Sequence, residues 1–198
     1  YNTVGETWVT EPAYTAWWQM DSKLSAPKNS NLKTVMDFSF FDKINTAKNE
    51  QTETWFKGLD RVYNNFVYDF LYPNPASVLA FIENHDTDRF LGEGDNLPML
   101  KQASTLLLTT RRIPQLYYGT EIMMNGVKSK SDGYVRKDFP GGWTGDTETA
   151  LTAAGRSKIQ NECYNFYKTL LNWRKGNEVI AKGSMVQFMV QNGVYAYA

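Results

Sequence analysis

A single histidine, His85, lies between two polar residues in the sequence FIENHDTDRF, which spans residues 81–90. Asn84 precedes it, Asp86 follows it, and the three come at the end of an apolar run. One interpretation is a hydrogen-bonded turn that begins a helix, since Asn and Asp side chains often form such turns. The other is a rim of polar groups that binds and transforms a ligand. The ends of the other apolar runs bear on this choice.

Polar side chains end each of four short apolar runs. The runs are TVGETW at 3–8, LKTVMDFSF at 32–40, SVLAFIENHD at 77–86 and PQLYYGTEI at 114–122. The carboxylates at or near their ends are Glu6, Asp37, Asp86 and Glu121. Carboxylates that converge on one rim suit a neutral polyol substrate, because one can donate a proton while another stabilises a developing oxocarbenium ion.

Each candidate residue also has a structural interpretation. For Glu6 an exposed strand end and a catalytic role are equally supported. Asp37 is better explained by helix capping or sheet structure, and Glu121 by ordering the loop behind the last strand. Arg89 either pairs with a carboxylate structurally or balances the charge of a site. Arg136, in a long loop, is either a solvated charge or a group that reaches a substrate.

Composition narrows the class of protein. The chain has 198 residues, of which 42% are apolar and 15% aromatic, as in a folded globular protein. Lys plus Arg and Asp plus Glu number 21 each, and this zero net charge argues against a nucleic-acid or acidic-membrane partner. The sequence has no apolar run of about 18 residues, so it predicts no membrane span. One Cys and one His give no metal-ligand spacing, and Cys163 is predicted to be a buried small hydrophobe.

The apolar runs and the segments between them predict an α/β fold. Near-continuous apolar runs favour strands buried on both faces of a parallel sheet. Apolar spacings of three and four predict helices over 56–70, 100–110 and 159–173. Repeated strand–helix units indicate an α/β protein, and their order alone does not separate an open sheet from a closed barrel.

The connections and the chain ends carry further predictions. Residues 9–31 and 123–155 are predicted to be long connections, the first with a short helix at AYTAWW and the second functional or mobile. Gly176, after two basic residues, predicts a helix end. NG at 192–193 predicts a hairpin that opens an antiparallel β domain. The chain starts without Met in one strand-like run and stops in another, so we expect a piece of a longer protein.

Four motifs in order, VGETW, FIENHD, IPQLYYGTEI and RKDFPGGW, resemble the catalytic barrel of the α-amylase superfamily of glycoside hydrolases. The resemblance covers nearly the whole chain and is closest to neopullulanase-like and cyclomaltodextrinase-like members. It implies the C-terminal half of a (β/α)8 TIM barrel, from the fifth strand to the eighth helix, over residues 1–178. It also implies that residues 179–198 begin a C-terminal antiparallel β domain, truncated here.

The resemblance implies a role for each motif residue. Glu6 is expected to be the general acid/base, Asp86 to stabilise the transition state, and His85 to bind hydroxyl groups of the sugar at the cleaved bond. The other predicted substrate-binding residues are Trp8, Tyr118 and Arg136. The predicted supporting residues are Glu83, Asn84, Arg89 and Glu121. The family's nucleophile, an Asp of the fourth strand, matches no residue of this chain.

The implied activity is retaining cleavage of α-1,4 glucosidic bonds in starch, pullulan or cyclodextrins. A transglycosylase or isomerase on the same scaffold, or a non-catalytic glycan-binding or scaffold relative, are the alternatives. No organic cofactor is implied; a structural calcium is common in the family, but its ligands are not recognisable in this sequence. The resemblance favours an extracytoplasmic or periplasmic location, and the compartment stays open.

These 198 residues alone are expected to fold without hydrolysing α-glucans, because the implied nucleophile lies upstream. The first and last of the four strands would be unpaired edges, which recruit other chains. The face expected to lose its partners carries Val4, Met36, Phe81 and Leu116. An isologous homodimer is one expected outcome, and swapped or disordered edges are the other.

Overall fold

The computed structural model describes residues 2–50 and 54–198. In chain order the strands are β1 (Val4–Gly5), β2 (Thr34–Met36), β3 (Val78–Ala80) and β4 (Ile113–Pro114). The helices are α1 (Pro12–Trp17), α2 (Phe38–Ala47), α3 (Leu59–Val67), α4 (Leu97–Thr109), α5 (Asp132–Val135), α6 (Lys158–Lys175) and α7 (Glu178–Lys182). Single 3-10 turns lie at Tyr68–Leu71, Pro75–Ser77 and Thr120–Ile122.

The chain divides into two compact units. The first unit is Tyr1–Ile82, Thr109–Gln115 and Glu178–Ala198, and the second is Glu83–Leu108 and Leu116–Asn177. All four strands belong to the first unit and form one parallel sheet in the order β1-β2-β3-β4. The predicted α/β class with parallel strands is therefore confirmed, although each strand is only two or three residues long.

The two faces of the sheet differ in burial. Alternate residues point to opposite faces of a strand, and the register pairs Val35 with Val78 and Leu79 with Ile113. The covered face has the buried side chains Val35, Asp37, Val78, Ala80 and Arg112. The open face has Val4, Thr34, Met36, Leu79 and Ile113, of which Val4 is 49% and Ile113 41% exposed. The prediction of burial on both faces is wrong for the sheet as described, because Val4 and Ile113 on the open face remain exposed.

Apolar packing on the covered face involves α1 and the segment that follows α3. Ala16 of α1 and Tyr72 form a buried cluster with Val35 and Val78. These contacts remove apolar surface from water, which is the main favourable term in folding. Phe81, expected on the face that loses its partners, is instead fully buried against the rings of Phe38 and Phe41.

Helix α2 begins where the sequence predicted a continuing strand. The run LKTVMDFSF was predicted to be strand-like, with helix capping by Asp37 as one interpretation; the strand ends at Met36 and the helix starts at Phe38. Asp37 is its N-cap, since its Oδ1 accepts a hydrogen bond of 2.8 Å from the Phe40 amide. Such a cap satisfies a backbone donor that a helix otherwise leaves free. The aromatic run after Asp37 has the composition of a strand, and the cap overrides it.

In the second unit, the apolar periodicities predicted helices correctly. Helix α4 buries Leu100, Ala103 and Leu107, as the pattern requires. Helix α6 begins at a capping box, in which Ser157 and Gln160 bond to each other's backbone amides. It ends at Gly176 after two basic residues, and Cys163 is buried in it as predicted.

The chain after α7 forms the predicted hairpin. Asn192 and Gly193 both have positive φ angles, 50° and 70°, as a two-residue type I′ turn requires. The flanking residues Gln191 and Val194 form an antiparallel bridge. Val186 and Ala198 exchange two backbone hydrogen bonds of 2.7 and 2.8 Å. Helix α7, which precedes the hairpin, was not predicted.

A charged pair on the first unit gives a pH-dependent prediction. Both carboxylate oxygens of Glu50 accept bonds of 2.6 Å from Arg61, and Oε2 also accepts from the Gly58 amide. The Arg61 bond is the main reason that the pKa of Glu50 falls to about 2. A carboxyl with a lowered pKa stabilises the fold above pH 4.5, and this contribution is lost as the pH falls towards 2.

We therefore expect Glu50→Gln to lower the free energy of unfolding by about 1 kcal/mol near pH 6, the scale of a bidentate pair near the surface. The deficit should shrink as the pH approaches 2. Urea denaturation across this pH range measures it, with the exposed Glu178→Gln as the matched control. Equal deficits at pH 6 and pH 2 would contradict the assignment.

Candidate active site

Glu6 follows β1 directly and is exposed. Gly5 pairs with Val35, so continuing the register by one residue sets Glu6 beside Met36, in the row of the open face. The backbone after the strand is fixed by Thr7, whose hydroxyl donates to the Met36 carbonyl at 2.8 Å. Trp8 stacks on Phe38 at 4.6 Å between ring centroids and remains 53% exposed. Glu6 is therefore held on a defined backbone and remains accessible.

Asp37 follows β2 but is not accessible. Its side chain is fully buried, caps α2 and forms an ion pair with Arg112, which is also fully buried. Arg112 also contacts Asp69 at 2.6 Å and lies 4.7 Å from the ring centroid of Phe66. The structural interpretation of Asp37 is confirmed.

The segment after β3 forms a closed loop, residues 83–90, which we call the polar loop. Asn84 is buried, and its Oδ1 accepts a bond of 2.9 Å from the Asp86 amide. The Asn84 amide donates to the Thr87 hydroxyl at 2.9 Å. The predicted hydrogen-bonded turn is therefore present, but the helix expected to follow it is not, since α4 begins only at Leu97.

His85 and Asp86 project from this turn and are partly accessible. Their side chains are 56% and 26% exposed, and His85 Nε2 lies 3.0 Å from Asp86 Oδ2. The other carboxylate oxygen, Oδ1, accepts a bond of 2.6 Å from Arg136 Nη2. Arg136 Nε donates to the His85 carbonyl at 2.8 Å, and Nη2 lies 3.4 Å from Asp132. Arg136 is therefore a partner of Asp86 and not an isolated solvated charge.

The two ends of the polar loop are joined by a buried ion pair. Glu83 and Arg89 are 2% and 1% exposed and lie 3.2 Å apart. Burial raises the pKa of Glu83, and hydrogen bonds from Thr120, from the Phe90 amide and from Arg89 act in the opposite direction. The structural interpretation of Arg89, a pair with a carboxylate, is confirmed.

The turn after β4 supplies aromatic side chains. Arg89 lies 3.9 Å from the ring centroid of Tyr117 and 5.0 Å from that of Tyr118. Burial raises the pKa of Tyr117 to about 12, so its hydroxyl stays protonated at neutral pH. Tyr118 is 41% exposed and donates to the Lys137 carbonyl at 2.7 Å. Tyr118 therefore presents a ring to solvent while its hydroxyl is fixed.

Glu121 lies in the 3-10 turn that follows Gly119, whose φ angle is 83°. The turn contacts α6, where the Cys163 thiol donates to the Thr120 carbonyl at 3.7 Å. Burial, together with the charge of Glu121, raises the pKa of Cys163 to about 12. This thiol is therefore unreactive at neutral pH. The position of Glu121 fits the predicted loop-ordering role.

Within the second unit, the structure brings together His85, Asp86 and Arg136, and it joins Glu83, Arg89 and Tyr118 beside them. Sequence reasoning missed Thr120 and the Val135 carbonyl, which contact Glu83 and Arg89 respectively. No local pattern marks either residue. In residues 2–50 and 54–198, no cluster of three His, Cys, Asp or Glu side chains could hold a metal ion. No helix of the described chain is long and apolar enough to cross a membrane.

Fold and site together define an α/β protein with accessible carboxylates after the strands of a parallel sheet. The family model described as the alpha amylase catalytic domain matches residues 1–141. The chain belongs to this α-amylase family.

Individual relatives support this assignment. A cyclomaltodextrin glucanotransferase of Thermoanaerobacterium thermosulfurigenes is 33% identical over 85% of this chain and 21% of its own length. An α-amylase of Niallia circulans is 31% identical over 85% of this chain and 28% of its own length. The solved α-amylase of Geobacillus thermoleovorans, complexed with acarbose, has a TM-score of 0.72 at 20% identity, over 100% of this chain and 38% of that one. At this identity the structural likeness shows the fold alone. The chain thus spans between a fifth and two fifths of these proteins.

Proposed function

We propose that the protein carrying this chain is a retaining α-glucan glycoside hydrolase that cleaves α-1,4 glucosidic bonds. Glu6 protonates the leaving glycosidic oxygen and later takes a proton from the attacking water. Asp86 stabilises the positive charge that develops on the sugar ring. The chain's membership of the α-amylase family supports both roles, since Glu6 and Asp86 lie in the motifs VGETW and FIENHD.

The observation that carries the proposal is a contrast among three carboxylates. Glu6, Asp37 and Asp86 all follow strands of one parallel sheet, and chemistry in such sheets takes place beyond the carboxyl ends of the strands. Glu6 and Asp86 are accessible, whereas Asp37 is fully buried in an ion pair. The two residues in the motifs are therefore also the two that a substrate can reach.

Four further residues are proposed to bind the glucan. His85 donates to sugar hydroxyl groups from the same turn as Asp86. Trp8 and Tyr118 offer exposed rings, and aromatic rings stack well on the apolar faces of sugars. Arg136 binds the glucan beside Asp86, where a planar guanidinium can donate to vicinal hydroxyl groups. Asn84, Arg89 and Glu121 support these residues.

The domain limits are also part of the proposal. Residues 1–178 are proposed to be the C-terminal half of a TIM barrel, and residues 179–198 the start of an antiparallel β domain. The parallel sheet and the hairpin at 192–193 are consistent with both. The nucleophile of the retaining route matches no residue here, so we expect no turnover from these 198 residues alone. Their assembly as a homodimer remains a prediction.

Transglycosylation is the second candidate function. Similarity to a cyclomaltodextrin glucanotransferase over 85% of this chain favours it. In both reactions Glu6 and Asp86 have the same roles, and the acceptor of the glycosyl–enzyme intermediate differs. Water gives a linear reducing sugar, while the substrate's own distal hydroxyl gives a cyclic product.

The products of the full-length protein with maltoheptaose test the proposal. We expect shorter linear maltooligosaccharides whose new reducing ends are initially α-anomers, because two displacements retain configuration. Proton NMR within the first minutes resolves the anomers, and mass spectrometry detects cyclic dextrins. Cyclic products would favour the second candidate. New β-anomeric ends, or intact substrate, would overturn the proposed function.

A further inference from the structure

We propose that Arg89 is a positioning residue for Asp86 and acts through the segment that carries Arg136. This inference rests on the proposed function, in which Asp86 stabilises the transition state. Arg89 touches no substrate in this scheme. Its guanidinium instead joins the polar loop to two other segments of the second unit.

The polar loop is closed by the contacts of Glu83 with Arg89 and Phe90. Glu83 Oε2 accepts a bond of 2.5 Å from the Phe90 amide, and its Oε1 lies 3.2 Å from Arg89 Nη1. Thr120 donates a further bond of 2.5 Å to Oε1. Both ends of the loop therefore meet at one buried carboxylate. Asp86 lies between these ends, within a span of six residues, so its backbone has few alternative paths.

Arg89 also donates to backbone carbonyls outside the polar loop. Its Nη1 donates to the Tyr118 carbonyl at 2.7 Å, and its Nε donates to the Val135 carbonyl at 3.0 Å. The guanidinium carbon also lies over the ring of Tyr117, 3.9 Å from its centroid. A rigid planar fork can make these contacts together, whereas the single ammonium group of a lysine cannot.

Arg136 connects the segment held by Arg89 back to the polar loop. Val135 ends α5, and the next residue is Arg136, which donates to both Asp86 Oδ1 and the His85 carbonyl. Arg89 therefore holds the backbone beside Arg136, and Arg136 holds the carboxylate of Asp86. Side chains that orient a reacting group commonly need such support, because small displacements cost a large part of the rate.

Arg89→Lys in the full-length protein tests this chain of contacts. The substitution keeps the positive charge that pairs with Glu83 and removes the planar guanidinium with its several donors. We expect kcat on maltoheptaose to fall about tenfold with little change in KM, since the lost support acts on the transition state. Arg174→Lys is the control, because Arg174 also donates to a backbone carbonyl, that of Leu108 in α4. It should leave kcat unchanged.

A double-variant cycle separates positioning from general loss of structure. If Arg89 acts through Arg136, Arg89→Lys should have little further effect in an Arg136→Gln background. Multiplicative losses in the double variant would overturn the proposal. Thr120→Val, which removes only one donor to Glu83, serves if Arg89→Lys does not fold; it should lower kcat in the same direction, by less.

An NMR measurement that needs no catalytic activity tests the positioning role of Arg89 separately from the proposed function. His85 Nε2 contacts Asp86, so its imidazole proton resonance reports the orientation of that carboxylate. The resonance can be assigned with His85→Gln. We expect it to shift in Arg89→Lys and in Arg136→Gln, but not in Arg174→Lys. An unmoved resonance in Arg89→Lys overturns the positioning role even if wild-type turnover is absent, whereas absent turnover alone overturns only the proposed function.

Discussion

Replacing Glu6 with Gln is expected to lower kcat on maltooligosaccharides at least about a hundredfold, the usual scale for the loss of a general acid/base. Gln has nearly the same shape as Glu but has no acidic proton for the leaving oxygen. An aryl maltoside with a good leaving group should lose much less rate in the first step, because its departure needs little protonation. Steady-state and burst kinetics on both substrates measure the difference.

Glu11→Gln is the matched control for this prediction. Glu11 lies five residues further along, is half-exposed, and pairs with Lys43 at 3.0 Å. Its loss should leave kcat unchanged on both substrates. Wild-type kcat on maltooligosaccharides after Glu6→Gln would remove the acid/base assignment.

Asp86→Asn is expected to lower kcat by a hundredfold to a thousandfold, by analogy with the loss of other preorganised electrostatic groups. The substitution keeps the shape of the side chain but removes a negative charge beside Arg136. The positive charge of Arg136 would then face the developing oxocarbenium ion without the Asp86 carboxylate to offset it. Unlike Glu6→Gln, it should slow aryl maltosides and natural glucans by similar factors. Charge stabilisation is needed in both steps, whatever the leaving group.

The comparison of the two variants on two substrates is therefore diagnostic. Glu93→Gln, which breaks an exposed pair with Lys130 in the same unit, controls for loss of a surface charge. If an aryl maltoside restored the rate of Asp86→Asn as it does that of Glu6→Gln, Asp86 would be acting in proton transfer and not in charge stabilisation.

Elements with a local signal could be predicted from the sequence. Helix α6 carries its apolar stripe, its capping residues and its Gly stop within the helix and its flanking residues, and the turn at Asn192 and Gly193 needs only two residues. Helix α2 was indicated only by the capping role considered for Asp37, because the aromatic run that follows resembles a strand, and the start of the helix depends on the bonds that Asp37 accepts from Ser39 and Phe40. The apolar runs predicted where the strands lie, but not that each strand is only two or three residues long.

The candidate site divides in the same way. Glu6, His85 and Asp86 could be identified because they belong to short motifs at the ends of apolar runs. The ion pair between Asp86 and Arg136 could not be predicted, since 50 residues separate its partners. Glu83 was recognised only as a supporting residue, although a carboxylate directly after a buried run must find a cation or several donors. Its partner Arg89 lies six residues away.

Because the two sheet faces differ in burial, the proposed acid/base role of Glu6 depends on which face of β1 this residue follows. Glu6 belongs to the row of Met36 on the open face, while Gly5 belongs to the row of Val35 on the covered face. A Cβ atom at Gly5 would lie 2.5 Å from Leu32 Cδ1. Insertion or deletion of one residue before Glu6 would exchange the two rows. The Glu6 carboxylate would then point to the covered face beside Val35, where a substrate could not reach it, although the composition of the chain would hardly change.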